Sequence, residues 1–383
     1  MPLSVSRRTF LRAAGVGAAA AAIAPSLGRA LASSGNRGRY QVPTTNPDEE
    51  LQSYNELFNN PPMMGRVHGA LYVRRFTEPR PDAPSAGDNV PALAVVPILR
   101  SVVTVPYNTL AFSPVWFETD QGYVHSAYVV PCHEMFNPPE TSVPTNGFWA
   151  ELTTPEAWQH VLPDVNSNRY DFYHYRAFWQ QLYKVTDMAT DSAGRVWYKV
   201  ADDPDIEPNR RAWIMARALR RLTDADFAPI SPEVQNKRIE ISLGKQILSC
   251  YENDSLVFQT LIASGTTVEG DDGVLHDFST AYGDYHVERK RPARRMVGGS
   301  AADGTAYDVN AVPWITYFVG TGAAIHGAYW HNRYGVPKSH GCINVVPDAA
   351  KWVYRWTLPV ATVNDDYRWT SRTEASTPVI ISH

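Results

Sequence analysis

Short runs of β-favouring residues, separated by turn residues, are the feature that most limits what this chain can fold into. In residues 236–265 apolar side chains alternate with polar ones, as at Ile239 and Ile241, and the turn sequences "LGKQ" and "ENDS" separate the runs. Similar Val-, Tyr- and Trp-rich runs occur from residue 63 onward. In the last third only "VVPDAAKWVYRWTL" has helical spacing, with Pro347 near its start. The sequence predicts a mainly β protein with one main helix in its C-terminal part.

A weak internal similarity divides the part of the chain before residue 233. The sequence "PVWFETDQGYVHSAYVVP" and the later segment 195–222 both contain Val-Trp and an aromatic residue, then a loop, then a strand-like run. Two small β modules are therefore predicted, and the aromatic-rich segment of the second is interpreted as core rather than as a binding groove. The predicted boundaries are 63–135 for a small β-barrel module, 136–232 for a second β-rich module, 233–363 for a C-terminal β-rich domain and 364–383 for a C-terminal tail.

The N-terminal segment 1–32 has the pattern of an export signal. Arg7 and Arg8 precede an Ala- and Gly-rich apolar run that ends in "ALA", the pattern of a twin-arginine signal with its cleavage site. The apolar run is shorter than the ~20 residues that span a bilayer, which disfavours a retained membrane helix, and the paired arginines disfavour an Ala-rich core helix. We expect a mature chain without a transmembrane anchor, located in the cell envelope or outside the cell, that begins with a flexible linker at 33–62.

Charge and cysteine content exclude several classes of function. Removal of the signal takes away four of the 35 Lys and Arg residues. The remaining 31 basic residues stand against 39 Asp and Glu residues, so the net charge of the mature chain is −8. This charge offers no basic surface for binding nucleic acid. The one basic run, "ERKRPARR" at 288–295, is interpreted as a solvated hairpin or loop. Three cysteines cannot form a disulfide framework. Cys132 and Cys250 are expected to be buried small side chains, and a single bridge between them stays open.

The stretch "IHGAYWHNRYGVPKSHGCIN" at 325–344 concentrates the residues that carry chemistry. A thiol is mostly protonated at neutral pH, so Cys342 needs a nearby base to act as a nucleophile. His326 lies 16 residues upstream at the end of a strand-like run, and a loop could return the chain past it. We predict that His326 takes the proton of Cys342.

The residues next to this cysteine suggest how an anionic intermediate would be stabilised. Gly341 permits close approach of the backbone to a substrate. The consecutive N–H groups of His340, Gly341 and Cys342 are predicted to point towards one spot and bind a developing oxyanion. Ser339 and Asn344 are predicted to support the loop or the substrate.

Two other interpretations of the histidines remain. Each histidine alone is more often a hydrogen-bonded structural residue than a catalyst. A zinc site is the second alternative, since His326, His331, His340 and Cys342 are suitable ligands, but the paired short spacings of structural zinc sites are missing. His331 itself is expected to be exposed or to face the substrate. No metal ion and no organic cofactor is predicted.

The spaced motifs "IHG" at 325–327 and "SHGCIN" at 339–344 resemble the catalytic signature of the L,D-transpeptidases of bacterial cell walls. The resemblance spans roughly residues 236–363. It implies that Cys342 is the acylated nucleophile, that His326 accepts and later donates its proton, and that the Gly327 carbonyl orients this histidine. His340 and Gly341 would shape the pocket.

Two further comparisons with known families refine this resemblance. Ala281 replaces the proline that the family tends to show between Thr280 and Gly283, which affects a turn but no reacting group. The first module resembles the bacterial Src-homology-like barrels that often accompany wall enzymes, through its "LYVRRFTEP" and "VWFETDQGYVHSAYV" runs.

The resemblance implies an exported enzyme that acts on peptidoglycan stem peptides. Cys342 would form a thioester with a tetrapeptide stem and release D-alanine. An amine of a second stem, or another amine, would then attack this thioester. When the amine belongs to a second stem, the product is a 3→3 cross-link. Tyr329 and Trp330 are predicted to form an aromatic wall that excludes water. A monomer is expected. The alternatives are an L,D-carboxypeptidase that trims stems with the same residues, and a non-catalytic wall-binding protein.

Overall fold

The computed structural model describes residues 63–68, 70–104, 113–166, 176–201 and 212–383. The predicted export signal at 1–32 and the linker at 33–62 lie outside the described residues. The described part is mainly β, as predicted, and contains two α-helices, α1 (Asp224–Phe227) and α2 (Pro347–Trp356). Neither of these helices is long and apolar enough to cross a membrane.

The first module is built from short strands around a small apolar core. Its core includes Val67, Phe117, Val124 and Val129, all buried. A three-residue 3₁₀ helix, Ser126–Tyr128, joins its last two strands. The sheets are β4-β1-β8, β2-β3 and β5-β6-β7. The strands are β1 (Met64–Val67), β2 (Tyr72–Val73), β3 (Val90–Pro91), β4 (Val95–Pro97), β5 (Arg100–Val103), β6 (Val115–Thr119), β7 (Gly122–His125) and β8 (Val129–Cys132).

The second module contains a five-stranded antiparallel sheet of order β14-β13-β12-β9-β15 and a small pair, β10-β11. Described members of the aromatic-rich segment, Phe148, Phe178 and Tyr183, are buried, which agrees with the core interpretation. The strands are β9 (Phe148–Leu152), β10 (Glu156–Trp158), β11 (Arg176–Phe178), β12 (Leu182–Thr190), β13 (Val196–Ala201), β14 (Ala212–Met215) and β15 (Leu219–Arg221).

The internal similarity of the sequence corresponds to a repeated local topology. In each module two paired strands, β6-β7 and β13-β14, lead into a three-residue 3₁₀ helix and then a final strand. Trp116 and Trp197 occupy equivalent places, are fully buried, and meet the edge of a histidine ring, His125 and His160, each at 5.0 Å between ring centroids. The resemblance of the first module to Src-homology-like barrels stays a prediction.

The C-terminal domain has two five-stranded sheets, β18-β17-β16-β27-β21 and β25-β24-β23-β22-β26, with α2 packed against β23 and β24. The apolar residues of α2 and of both sheets form its core, among them Ile239, Ile325 and Val353. The strands are β16 (Lys237–Ser242), β17 (Ile247–Glu252), β18 (Ser255–Leu261), β19 (Thr267–Glu269), β20 (Leu275–Asp277), β21 (Gly283–His286), β22 (Arg289–Gly298), β23 (Tyr307–Tyr317), β24 (Ala324–Gly327), β25 (Ile343–Val345), β26 (Arg368–Trp369) and β27 (Pro378–Ser382).

The interpretation of 364–383 as a tail is wrong. Strand β27 lies inside the first sheet, parallel to β16 and antiparallel to β21. Its alternating residues Val379 and Ile381 are buried in the domain core. The five-residue run is too short to distinguish a strand from an extended tail by pattern alone. Its partner strands β16 and β21 lie 140 and 92–98 residues earlier in the sequence.

The basic run at 288–295, interpreted above as a solvated hairpin or loop, does lie in the hairpin of β22 and β23, but the prediction that it is solvated is wrong. Most of it lies in β22, where Lys290 is fully buried and Arg295 nearly so. Lys290 Nζ donates to the carbonyls of Tyr354 (2.7 Å) and Thr357 (2.6 Å) at the end of α2, while burial lowers the pKa of Lys290 well below its usual value. Arg295 forms two hydrogen bonds with Asp308. Lys290 and Arg295 therefore form hydrogen bonds with groups inside the protein instead of with water.

Cys132 and Cys250 are free cysteines in different modules. Cys132 ends β8, and Cys250 lies in β17 within the core of the C-terminal domain. Burial raises the pKa of the Cys132 thiol to about 11 and the pKa of Cys250 well above its usual range. Both thiols therefore behave as small apolar side chains, and the single bridge left open by the sequence is not formed.

Candidate active site

The pairing of two short parallel strands brings the predicted site residues to one face. In β24 and β25, Ile325 pairs with Ile343 and His326 with Asn344. Ile325 and Ile343 are fully buried in the domain core. Because side chains alternate along a strand, His326 and Asn344 project to the opposite face, as does Cys342 directly before β25. His326 and Cys342 are thus diagonal neighbours across the two paired strands.

His326 is buried in a defined orientation. Its Nδ1 donates to the carbonyl of Gly327 at 3.2 Å, which leaves the lone pair on Nε2 as the basic site. Its ring stacks against Trp330, with 5.8 Å between centroids and 29° between planes. Burial lowers the pKa of His326 to about 4, against the hydrogen bond to Gly327, which raises it. The imidazole is therefore neutral at neutral pH and can accept a proton.

Gly327 allows the strand that carries His326 to approach α2 closely. A Cβ atom at this position would lie 2.9 Å from Pro313 Cγ and 2.9 Å from the Pro347 Cα at the first residue of α2. Any larger residue would push β24 away from the helix. Gly327 is therefore required by the packing of β24 against α2, and its carbonyl also accepts the hydrogen bond from the His326 ring.

Cys342 is partly exposed, while its sulfur lies against the backbone that precedes β24. Its Sγ is 3.9 Å from the Gly322 carbonyl. Burial raises the pKa of its thiol to about 11, partly offset by a hydrogen bond from the Ala324 N–H. A neutral thiol and a neutral imidazole are the resting forms.

The turn that precedes the cysteine is held by its own hydrogen bonds. Ser339 Oγ donates to the Cys342 carbonyl and accepts from the Gly341 N–H at 3.1 Å. Thr280 Oγ1 donates to the Gly341 carbonyl at 3.0 Å. Gly341 has φ = 110°, a conformation that favours glycine.

This geometry corrects the predicted oxyanion site. The Gly341 N–H is already bonded to Ser339 Oγ and so does not point at a shared spot with its neighbours. The amides of His340 and Cys342 remain as candidate donors. The Ser339 hydroxyl makes two hydrogen bonds within this turn, and its predicted role towards the substrate stays a prediction.

His340 lies between two aromatic rings, Phe278 at 4.7 Å and Tyr307 at 4.8 Å between centroids. Burial, and then the charge of Lys338, lower the pKa of His340. Burial, and then the electrostatic interaction with Cys342, raise the pKa of Tyr307. Tyr307 therefore lies against His340 and close enough to Cys342 to interact with it electrostatically. Sequence reasoning missed Tyr307, because it begins β23 far from the motif and no local pattern marks it.

His331 is not exposed, contrary to the expectation from sequence. It is 2% exposed, and burial lowers its pKa well below the usual value. The Arg333 N–H donates to its Nδ1 at 3.2 Å, so the neutral ring carries its proton on Nε2. The Asn344 side-chain amide lies 3.1 Å from this Nε2. Asn344 thus links His331 to the strand face shared with His326.

The two predicted wall residues have different positions. Trp330 covers the His326 ring. Tyr329 is 5% exposed, donates its hydroxyl to the Asn310 carbonyl at 2.7 Å, and packs behind Trp330. Only Trp330 therefore lies against the candidate base.

The zinc alternative finds no support in the described part of the chain. No group of three or more His, Cys, Asp or Glu side chains is arranged there to hold a metal ion. Of the two ring nitrogens of His331, Nδ1 lies next to the Arg333 amide and Nε2 next to Asn344.

Lys338 is a buried basic residue near these histidines that the motif did not reveal. Burial lowers the pKa of its ammonium group to about 7.

Comparison with known proteins agrees with the geometry. Residues 236–381 match the family model of the L,D-transpeptidase catalytic domain (YkuD). The match runs past residue 363 to the end of the domain, where β27 lies in the sheet. Comparison with curated protein sequences found no match.

Three solved structures are similar to parts of the chain. A mutant L,D-transpeptidase from Enterococcus faecium is 24% identical over 39% of this chain and 51% of its own, with a TM-score of 0.28. The catalytic domain from E. faecium L,D-transpeptidase is 25% identical over 39% of this chain and 98% of its own, with a TM-score of 0.28. An L,D-transpeptidase from Mycobacterium smegmatis is 14% identical over 49% of this chain and 90% of its own, with a TM-score of 0.30.

This chain spans about half the length of the first of these structures, and TM-scores of this size do not by themselves establish a shared fold. The assignment therefore rests on the family match. It covers both motifs and all of the strands that position them. Residues 236–381 of this chain are an L,D-transpeptidase catalytic domain.

Proposed function

We propose that the chain is an exported peptidoglycan L,D-transpeptidase in which Cys342 is the nucleophile and His326 the base. The observation that carries this proposal is the shared face of β24 and β25, where the Gly327 carbonyl holds His326 with Nε2 unprotonated, diagonal to Cys342. The acyl donor is a tetrapeptide stem, attacked at the carbonyl that joins its third residue, a diamino acid, to its terminal D-alanine.

Acylation forms one bond and breaks one. Cys342 Sγ attacks the carbonyl carbon while its proton passes to His326 Nε2, and the carbonyl oxygen becomes an oxyanion. The amides of His340 and Cys342 donate to this oxygen. The C–N bond then breaks, and His326 returns the proton to the departing amine of D-alanine. A thioester between Cys342 and the third residue of the stem remains.

Deacylation repeats these events with an amine as the attacking group. The side-chain amine of a second stem attacks the thioester, gives its proton to His326, and displaces Cys342, which is reprotonated. The product is a 3→3 cross-link. Trp330, stacked on His326, excludes water from the base, because attack by water would give a trimmed tripeptide stem instead.

The place of action follows from the same proposal. Peptidoglycan lies outside the cytoplasmic membrane, and the Arg7-Arg8 pair with the following apolar run would deliver the chain there by twin-arginine export. Stem peptides are the proposed partners.

The test is to incubate the mature protein with tetrapeptide-stem muropeptides and analyse the products by mass spectrometry. Wild type is expected to release D-alanine and form cross-linked dimers. Cys342→Ala should form neither product. Cys132→Ala, which removes a buried thiol from the first module, is the matched control and should behave as wild type.

The outcomes separate the proposal from its alternatives. Tripeptides without dimers would show a carboxypeptidase with the same nucleophile. Identical absence of products with wild type and Cys342→Ala would support a non-catalytic wall-binding protein.

A further inference from the structure

A fully buried arginine of the first module joins all three modules. Arg66, in β1, has 0% exposure. Its Nη1 donates to the carbonyl of Pro155 in the second module at 2.9 Å, and its Nη2 donates to the carbonyl of Tyr329 in the catalytic domain at 2.8 Å. The guanidinium also lies 4.1 Å over the ring of Phe178. A buried cation is costly unless such partners compensate it, so its direction is fixed by these contacts.

The Tyr329 carbonyl belongs to the loop that covers the base. We call residues 328–335 the cover loop. Its Trp330 stacks on His326, and the neighbouring Tyr329 ring packs edge-on against Trp330 at 5.0 Å. Any shift of the Tyr329 peptide would therefore move the ring that shields the His326 imidazole.

A second contact attaches the same loop to the first module in the reverse direction. Asn332 Nδ2 donates to the carbonyls of Ser126 (3.0 Å), the first residue of the 3₁₀ helix of that module, and of Val129 (3.2 Å), which directly follows it. Arg66 and Asn332 therefore hold the cover loop on both sides of Trp330 and His331. The donors and acceptors lie 263 and 206 residues apart in the sequence, so this is tertiary docking rather than local turn structure.

We propose that the first module positions the active site: Arg66, helped by Asn332, fixes the cover loop so that Trp330 keeps His326 buried and aligned with Cys342. Arg66 is a positioning residue that acts through the loop and does not contact the substrate. The proposal rests on the proposed function for its rate prediction, but the burial of His326 can be measured without it.

The first test compares Arg66→Met with wild type by the rate at which a carbapenem acylates the protein at pH 7. Methionine keeps much of the apolar volume and removes both donors. We expect the acylation rate to fall at least tenfold, because small misplacements of reacting groups reduce rates strongly. Arg66→Lys, which can still reach one carbonyl, should recover part of the rate. Arg74→Met is the matched control, since Arg74 is exposed in the same module and lies over Phe76 rather than the loop.

The second test measures the pKa of the His326 imidazole by NMR in the same variants. In wild type, burial holds this pKa at about 4. The titratable group that interacts with the ring is His331, which is neutral in the cover loop. Loosening of the loop would hydrate the ring, so the pKa should rise towards 6.5 in Arg66→Met and stay unchanged in Arg74→Met. If Arg66 had only a structural role, its replacement would leave the pKa of His326 unchanged.

The results are distinguishable. If folded Arg66→Met keeps both the wild-type acylation rate and the wild-type His326 pKa, the inference is overturned, while acylation of Cys342 would still support the proposed function. If wild type is not acylated at all, the proposed function fails and the His326 pKa still decides the inference. Should Arg66→Met not fold, Asn332→Ala provides the same two readouts with a smaller expected change, and wild-type values there would overturn the inference.

Discussion

The two small modules repeat one local topology but attach to the catalytic domain in different ways. The second module contributes apolar side chains, Trp149, Leu182 and Leu222, to the core cluster of the catalytic domain itself. The first module contacts it through hydrogen bonds of Arg66 and Asn332 at the cover loop. Apolar burial is large and non-directional, whereas hydrogen bonds fix orientation. The comparison suggests that the second module mainly stabilises the catalytic domain and the first mainly positions its site.

The largest expected effect is on stability, at the apolar attachment of the second module. Trp149→Ala removes a side chain that is 4% exposed and whose Nε1 donates to Asp366 at 3.0 Å. We expect the free energy of unfolding to fall by about 3–5 kcal/mol. Urea unfolding of the full chain measures this change.

A matched control and a rate measurement sharpen this prediction. Trp369→Ala removes a tryptophan that is 55% exposed and should cost much less. The acylation rate of folded Trp149→Ala should stay near that of wild type. If that rate falls as far as it does in Arg66→Met, the division of roles between the modules is wrong.

A smaller effect is expected at the polar attachment of the second module. Asp226 accepts from Lys351 Nζ of α2 at 2.7 Å and from both terminal nitrogens of Arg220. Although burial acts to raise it, these hydrogen bonds hold the pKa of Asp226 below its usual range. Asp226→Asn should lower the free energy of unfolding by about 2 kcal/mol at pH 7.

The pH dependence of the same variant tests the cause. A carboxyl with a lowered pKa stabilises the fold above its unfolded value near 3.8 and loses this contribution as the pH falls through the folded pKa. The difference between Asp226→Asn and wild type should therefore shrink on acidification below that value. A difference that stays constant down to pH 2 would contradict the ion-pair account.

The smallest effect is expected in the first module. His125 Nε2 donates to the Ser113 carbonyl at 2.8 Å, and burial lowers the pKa of His125 to about 4. His125→Gln should cost about 1 kcal/mol at pH 7. Because the unfolded histidine binds a proton below about 6.5 and the folded one does not until about 4, wild type loses stability as the pH falls across this window.

This loss should be smaller in His125→Gln, so its Tm should approach that of wild type between pH 6.5 and 4. Thermal unfolding followed by circular dichroism at several pH values measures the approach. Parallel Tm curves would show that His125 is not held neutral by burial.

Local patterns were sufficient for much of the fold. The alternation at Ile239 and Ile241 marked β16, and helical spacing after Pro347 marked α2, because both signals lie within a few residues. The motifs that contain His326 and Cys342 marked both ends of the site, and the parallel register places these residues on one face.

Contacts between distant segments were not predictable. Arg66 and Tyr329 are 263 residues apart, and nothing in the sequence "MGRV" distinguishes a buried arginine from an exposed one. Lys290 was misjudged for the same reason, since its carbonyl partners are 64 and 67 residues away. The hydrogen bond from the Gly341 N–H to Ser339 Oγ joins neighbouring residues, but it depends on the side-chain rotamer of Ser339, which the residue type does not determine.

The most direct measurement of the central claim is the intact mass of the protein after exposure to a carbapenem, followed by peptide mapping. Wild type should gain one adduct, located on Cys342, and Cys342→Ala should gain none. His326→Gln should be acylated at least about a hundredfold more slowly, as expected for loss of a general base. An adduct on Cys132 or Cys250, or one that persists in Cys342→Ala, would contradict the assignment of the nucleophile.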